Sequence, residues 1–255
     1  MCGFFSIHNQ KEHIFEPYKL SEKIIKILEK RGPDSSNVFY LNSNQQKTTN
    51  FSKIKCLMAS SRLNIVDNNE KSNLPIFSKC KKYILFFNGE IYNFKNLANI
   101  YLKNNKLETN SDSEVLLYLL IQEGEKILEE LNGIFSFAFY NLSTNKITIA
   151  KDRFGVKPLY YIFNEKLFSF SSDAKCLFQI SNFSKKINKD LSALYLSGMI
   201  DTHINQTMIK NIFKLKPASY MVYDMNNHIL IKKKKYWTPS NKIANIFPFK
   251  KELYD

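Results

Sequence analysis

A series of short apolar and aromatic runs, joined by connectors too tight for crossover helices, constrains this chain more than any other feature. Seven such runs occupy residues 38–41, 54–59, 83–87, 134–140, 146–150, 159–163 and 167–170. The connectors at Asn164-Glu165 and Asn226-Asn227 suit hairpin turns, whereas a parallel crossover needs roughly a dozen residues or more. The expectation is antiparallel sheet with fewer helices than strands. Leu20, Ile24, Ile27 and Leu28 keep helical spacing within residues 18–30, and Gly32-Pro33 end the pattern. Ser111 followed by Glu114 is a capping-box pattern, and Val115, Leu116, Leu119 and Leu120 carry that second helix to about Glu129. Both helices are expected to cover outer faces of the sheets.

With 255 residues and 44% hydrophobic content, the chain can bury a large core in one large domain or in one domain plus a tail. The net charge of +14 invites a nucleic-acid partner, but lysine is spread through every segment. The dense run at residues 232–235 reads as a strand edge whose lysines discourage edge-to-edge pairing, so no nucleic-acid partner is expected. Cys2, Cys56, Cys80 and Cys176 are scattered, with no C-x-x-C pair. That spacing argues against a structural metal site or a disulfide framework and fits a reducing cytoplasm. No stretch approaches the ~20 apolar residues of a membrane span, so no membrane partner is expected.

Cys2 follows the initiator methionine directly. Removal of Met1 would leave a thiol and an α-amine on one residue, and an α-amine, with a reference pKa of roughly 7.7 to 8.0, can move protons at neutral pH. Alone, Cys2 reads as the start of a buried strand, because free cysteine is among the most buried residue types. Three other segments alter its standing. Arg62 follows a strand and offers a planar fork for a carboxylate. Asn88-Gly89-Glu90 follows the run ending at Phe87 and combines an amide, an unobstructed N–H and a carboxylate. Asp112 opens the second helix. Singly these residues suit an ion pair, a hairpin turn and a helix dipole. Together they provide an arginine for an α-carboxylate, two acids for an α-ammonium and two donors for an oxyanion, a complete site for an amino acid with a side-chain amide.

In this context Cys2-Gly3-Phe4-Phe5, Arg31-Gly32-Pro33-Asp34, the segment from Arg62 to Asp67, Asn88-Gly89-Glu90-Ile91-Tyr92-Asn93, Ser111-Asp112-Ser113-Glu114 and the segment from Asp152 to Tyr161 occur in a recognisable order. The ordered set resembles the class II glutamine amidotransferases, most nearly the N-terminal glutaminase domain of glutamine-hydrolysing asparagine synthetases, over residues 2–237. The resemblance implies an α+β N-terminal-nucleophile fold, an αββα sandwich of two antiparallel sheets between helix layers. It implies Cys2 as nucleophile, Asn88 and the Gly89 N–H as oxyanion hole, and Arg62 on the glutamine α-carboxylate. Glu90 and Asp112 would hold the α-ammonium, and Ile65 and Val66 would add backbone contacts. No metal or other cofactor is implied for this domain. Ser60 and Lys30 stand where the family often has histidines, and Leu74 where it often has glutamine.

ATP and magnesium would belong to a synthetase domain, whose Ser-Gly-Gly-x-Asp-Ser loop has no counterpart in this chain; Ser197-Gly198-Met199 holds a single glycine. Residues 238–255 read as a linker or the beginning of that domain. The leading expectation is a cytoplasmic glutaminase half that releases ammonia for transfer to aspartate, with L-glutamine as substrate and a synthetase domain or chain as partner. An amino-sugar or other acceptor, and an inactive glutamine-binding remnant, are the alternatives. The reading leaves an oligomer open.

Overall fold

The computed structural model describes residues 2–9, 16–63, 74–103, 105, 107–180, 185–199 and 204–239. Its elements are β1 (Gly3–Asn9), α1 (Pro17–Leu28), β2 (Ser35–Leu41), β3 (Cys56–Arg62), β4 (Ile76–Phe77), β5 (Tyr83–Ile91), α2 (Phe94–Tyr101), α3 (Asp112–Glu123), β6 (Gly133–Asn141), β7 (Lys146–Lys151), β8 (Tyr160–Phe163), β9 (Leu167–Ser171), α4 (Ala174–Leu177), α5 (Lys189–Leu196), β10 (Phe213–Lys214), β11 (Ser219–Asp224) and β12 (Ile229–Lys235). They form two six-stranded sheets, ordered β10-β8-β9-β1-β3-β2 and β12-β11-β7-β6-β5-β4. The paired strands in both sheets run antiparallel, as the tight connectors predict.

Strand periodicity assigns the side chains to layers. Phe5 and Ile7 of β1 point outward into a cluster with Leu20, Ile24 and Leu28 of α1 and Leu177 of α4. Phe87, Phe135 and Phe137 of the second sheet point outward beneath Leu116, Leu119 and Leu120 of α3. Between the sheets lie Phe4, Met58, Phe168 and Phe170 from one side and Ile84, Phe86, Ala138, Tyr140 and Met221 from the other. The layer order is therefore helix, sheet, sheet, helix.

Local signals placed both long helices well. α1 stops at Leu28, and α3 continues through Glu123 into a 3-10 turn, Gly124–Glu129. The capping box closes from one side only. Ser111 Oγ accepts the Glu114 N–H at 3.2 Å, but the Glu114 carboxylate turns back to the N–H groups of Glu108 and Thr109. Two strand ends extend further than the apolar runs suggest. Arg62 is the last residue of β3 rather than the first beyond it, and Asn88-Gly89-Glu90 lie within β5 rather than after it. Each is held by its neighbour strand, a constraint that a local pattern does not carry.

Candidate active site

β1 is an interior strand of the first sheet, flanked by β3 and β9, so residues 3–9 are held inside the fold. Its first residues are fastened on the β9 side: Phe4 N–H donates to Ser172 Oγ at 3.0 Å, and Phe4 O accepts from Ser172 N–H at 3.0 Å and Ser171 Oγ at 2.9 Å. Cys2 directly precedes this strand and is half-buried, its Sγ 3.9 Å from Leu63 O.

Ring contacts across the layer fix which part of the second sheet Cys2 meets. His8 lies over Tyr140 with centroids 5.6 Å apart, and Tyr140 pairs with Ile84 of β5. Phe4 lies over Phe86 at 6.2 Å. Moving along β1 from His8 to Phe4 therefore moves along β5 from Ile84 to Phe86. Two further residues on each strand lead to Cys2 and Asn88.

Asn88 is 1% exposed, and neither its Oδ1 nor its Nδ2 has a hydrogen-bond partner. Leaving such groups buried and unsatisfied costs about 1–3 kcal/mol each, so this amide is held ready at a cost to stability. Its cross-strand neighbour Ser136 is fully buried, and its Oγ is also without a partner. Gly89 has φ +155°, and a Cβ there would lie 2.1 Å from Ile134 O. No other residue permits this approach of β6. Among the described residues, β4 pairs with β5 only at Ile84 and Leu85. Beyond that point the Ile91 N–H turns to the edge away from β6, donating to Asp112 Oδ2 at 2.9 Å. The alternation of strand N–H groups aims Gly89, two residues earlier, to the same edge.

Arg62 is 8% exposed at the end of β3. The Arg31-Gly32-Pro33-Asp34 segment does more than stop α1. It runs directly along the Arg62 backbone, with Asp34 N–H donating to Arg62 O at 3.1 Å and Pro33 bridging to Arg62. A Cβ on Gly32 would come within 2.6 Å of the Arg62 carbonyl carbon. Glycine is thus required for the two segments to touch. Nearby, Ser60 Oγ and Asn37 Nδ2 donate to Leu74 O at 2.8 and 2.9 Å, so Ser60 anchors Leu74. Lys30 is exposed.

Asp112 does more than favour the dipole of α3, because its carboxylate reaches the edge of β5. Burial raises its pKa, and the Glu90 charge pushes in the same direction against the N–H groups of Ile91 and Ser113. Two acids that raise one another's proton affinity, Asp112 half-buried and Glu90 exposed, favour a cation between them. The structure thus gathers Cys2, Asn88, Gly89, Glu90, Arg62 and Asp112 around one end of the inter-sheet layer. Ile65 and Val66 lie outside the described residues, as does the tail beyond Pro239.

Sequence reasoning missed the supporting residues. Ser136 pairs with Asn88 on one side and with the buried Lys151 on the other, and burial lowers the Lys151 pKa. No local pattern marks a serine that matters through a partner 48 positions away. Asp152 is fully buried, and its carboxylate accepts N–H groups from Phe135, Phe154, Val156 and Lys157. It thereby ties the loop after β7 to the strand beside Gly89. Its place in the Asp152–Tyr161 motif was the available signal.

The sequence pattern of the glutamine amidotransferase domain matches residues 1–237. A protein named putative asparagine synthetase [glutamine-hydrolyzing] 2, from Methanocaldococcus jannaschii, is 31% identical over 93% of this chain and 46% of its own length. Asparagine synthetase B of Escherichia coli is 32% identical over 65% of this chain and 27% of its own length. The chain thus spans less than half the length of these relatives. A solved glutamine phosphoribosylpyrophosphate amidotransferase from B. subtilis superposes over 93% of this chain and 50% of its own, with a TM-score of 0.64 at 15% identity. An allosteric regulatory enzyme of purine biosynthesis superposes with a TM-score of 0.66 over 94% of this chain and 50% of its own at 16% identity; both show the same fold. The chain belongs to the glutamine amidotransferase domain family.

Proposed function

We propose that residues 2–237 form a glutaminase domain that hydrolyses L-glutamine through Cys2. The observation that carries this reading is the buried, unpartnered Asn88 amide at the level of Cys2. With Met1 removed, the Cys2 α-amine takes the thiol proton and the thiolate adds to the side-chain carbonyl. The oxyanion that develops is met by Asn88 Nδ2 and the Gly89 N–H. Collapse breaks the C–N bond, the amine returns the proton to the leaving nitrogen, and ammonia departs. Water then cleaves the γ-glutamyl thioester to glutamate and free thiol. Arg62 holds the α-carboxylate and Glu90 with Asp112 the α-ammonium, which offsets the mutual repulsion of the two acids. Ile65 and Val66 supply backbone contacts to the same substrate.

The names of the relatives favour aspartate as the acceptor of the ammonia, with an ATP-dependent synthetase unit as its consumer and residues 238–255 as the connection towards it. The free thiols of Cys2, Cys56, Cys80 and Cys176 favour a reducing compartment such as the cytoplasm. No helix among the described residues is long and apolar enough to cross a membrane. Incubation of the purified chain with L-glutamine should release glutamate and ammonia in equal amounts. Thermal stabilisation by glutamine with no glutamate release would overturn turnover and leave a binding remnant.

A further inference from the structure

The residue 232–235 run lies on β12, an edge strand of the second sheet, as the lysine-rich edge predicts. Edge protection does not account for its surroundings. Lys233, Lys234 and Lys235 line a cavity of about 730 Å³ together with Arg153 and Lys216, which come from loops far apart in sequence. Among the described residues, no carboxylate lines it. The adjacent Asp152 is fully buried and engaged by backbone N–H groups. Lys232, by contrast, is paired with Glu125 at 3.6 Å.

The site has a built floor and an aromatic wall. Gly155, at φ +72°, lets its loop pass against Pro217, where a Cβ would lie 2.8 Å from Pro217 Cγ. This turn leaves Phe154 75% exposed beside the cavity. Phe154 meets Trp237 edge-on with centroids 5.6 Å apart, and the Arg153 guanidinium lies over the Trp237 ring at 5.3 Å. Arg153 Nη2 donates to Glu129 O at 2.8 Å, which holds the guanidinium in place, while its Nε has no partner. Lys233 Nζ donates to Tyr161 OH at 3.0 Å. Cations collected in a concave wall focus their field on whatever enters, and a cavity of this size lies within the range of small-molecule sites.

We propose that this cavity binds a small anion carrying two or more linked phosphates, either a nucleotide or inorganic polyphosphate. None of its lining residues is one of those gathered around Cys2, and the proposal does not depend on glutamine turnover. Trp237 is the chain's single tryptophan, so its fluorescence reports on this site alone. The full chain is titrated, without magnesium, with ATP, with tripolyphosphate and with sulfate. The proposal expects a saturable emission change with ATP or tripolyphosphate, and binding of sulfate weaker by about tenfold or more. Binding of ATP that weakens in F154A assigns the nucleotide; equal binding of tripolyphosphate, indifferent to F154A, assigns inorganic polyphosphate. A K216Q/K234Q/K235Q variant, checked for an unchanged thermal midpoint, should weaken either by about tenfold or more. No saturable change with either anion, sulfate binding equal to tripolyphosphate, or a variant that binds as the parent does would overturn the proposal. Saturation by a single-stranded oligonucleotide where ATP and tripolyphosphate fail would overturn it in favour of a nucleic-acid surface.

Discussion

Each end of the inter-sheet layer holds a cysteine beside buried polar groups, and the two ends differ in whether those groups are satisfied. At the far end, Cys56 Sγ lies 3.5 Å from His8 Nε2, the spacing expected of a nucleophile and its base. His8 also meets Tyr140 OH and Ser6 Oγ at 3.1 Å each, and Ser6 Oγ donates to Leu57 O at 3.2 Å. Burial pushes the Cys56 thiol well up and pulls the His8 imidazole down to about 3, helped by His228. Every group there has a partner and both are locked neutral, so the pair is a core network. At the near end, Cys2 is half-exposed, while Asn88 and Ser136 are buried with nothing to bond. Proximity of a thiol and a base is a weaker sign of chemistry than buried polar groups left unsatisfied.

Removal of each thiol in turn should separate the two ends most strongly. C2A should reduce glutamate release to the level of buffer, whereas C56A should leave kcat within about twofold and cost about 1 kcal/mol of stability in urea unfolding. Loss of activity in C56A at unchanged stability would reverse the assignment of the two ends. N88A should lower kcat by about 100- to 1,000-fold without lowering the thermal midpoint, because it removes an unsatisfied amide. A large fall in the midpoint would mean that Asn88 is structural. R62K keeps the charge but loses the two-pronged grip; KM for glutamine should rise about tenfold to a hundredfold with kcat changed far less.

The far end makes the gentlest prediction. The imidazole of His8 is neutral in the folded state down to about 3 but accepts a proton near 6.5 once unfolded. Between those values the unfolded state binds the extra proton, so the His8 contribution is whole above pH 6.5 and is lost as pH falls towards 3. By pH 5 the loss amounts to about 2 kcal/mol. Urea midpoints measured at pH 7.5 and pH 5 should show this slope in the parent and not in H8Q. Equal slopes in both would place the acid sensitivity elsewhere.

The near end was largely legible in the sequence, because its residues lie in short motifs at strand and helix ends. Arg62, Asn88 with Gly89 and Glu90, and Asp112 could each be picked out locally, and their chemical complementarity suggested one site. The antiparallel sheets were legible for a similar reason, since tight connectors exclude crossovers. Relations across long separations were not. The contact of Gly32 with the Arg62 backbone, the pairing of Ser136 with Asn88, and the union of Arg153, Lys216 and Trp237 in one cavity arise from sheet register and loop packing. The His8–Cys56 network was missed because two residues 48 apart meet only after β1 pairs with β3. α2 and α5 span eight residues each, too short for a helical period to stand out; α5 has no buried residue among its eight.

Whether Cys2 attacks glutamine with its own α-amine as base can be read from the intact mass of the chain quenched during turnover. The chain should lack Met1 and carry a single glutamyl group, absent from C2A and unchanged in C56A. Full turnover by a chain that keeps Met1, or a glutamyl group that persists in C2A, would contradict it.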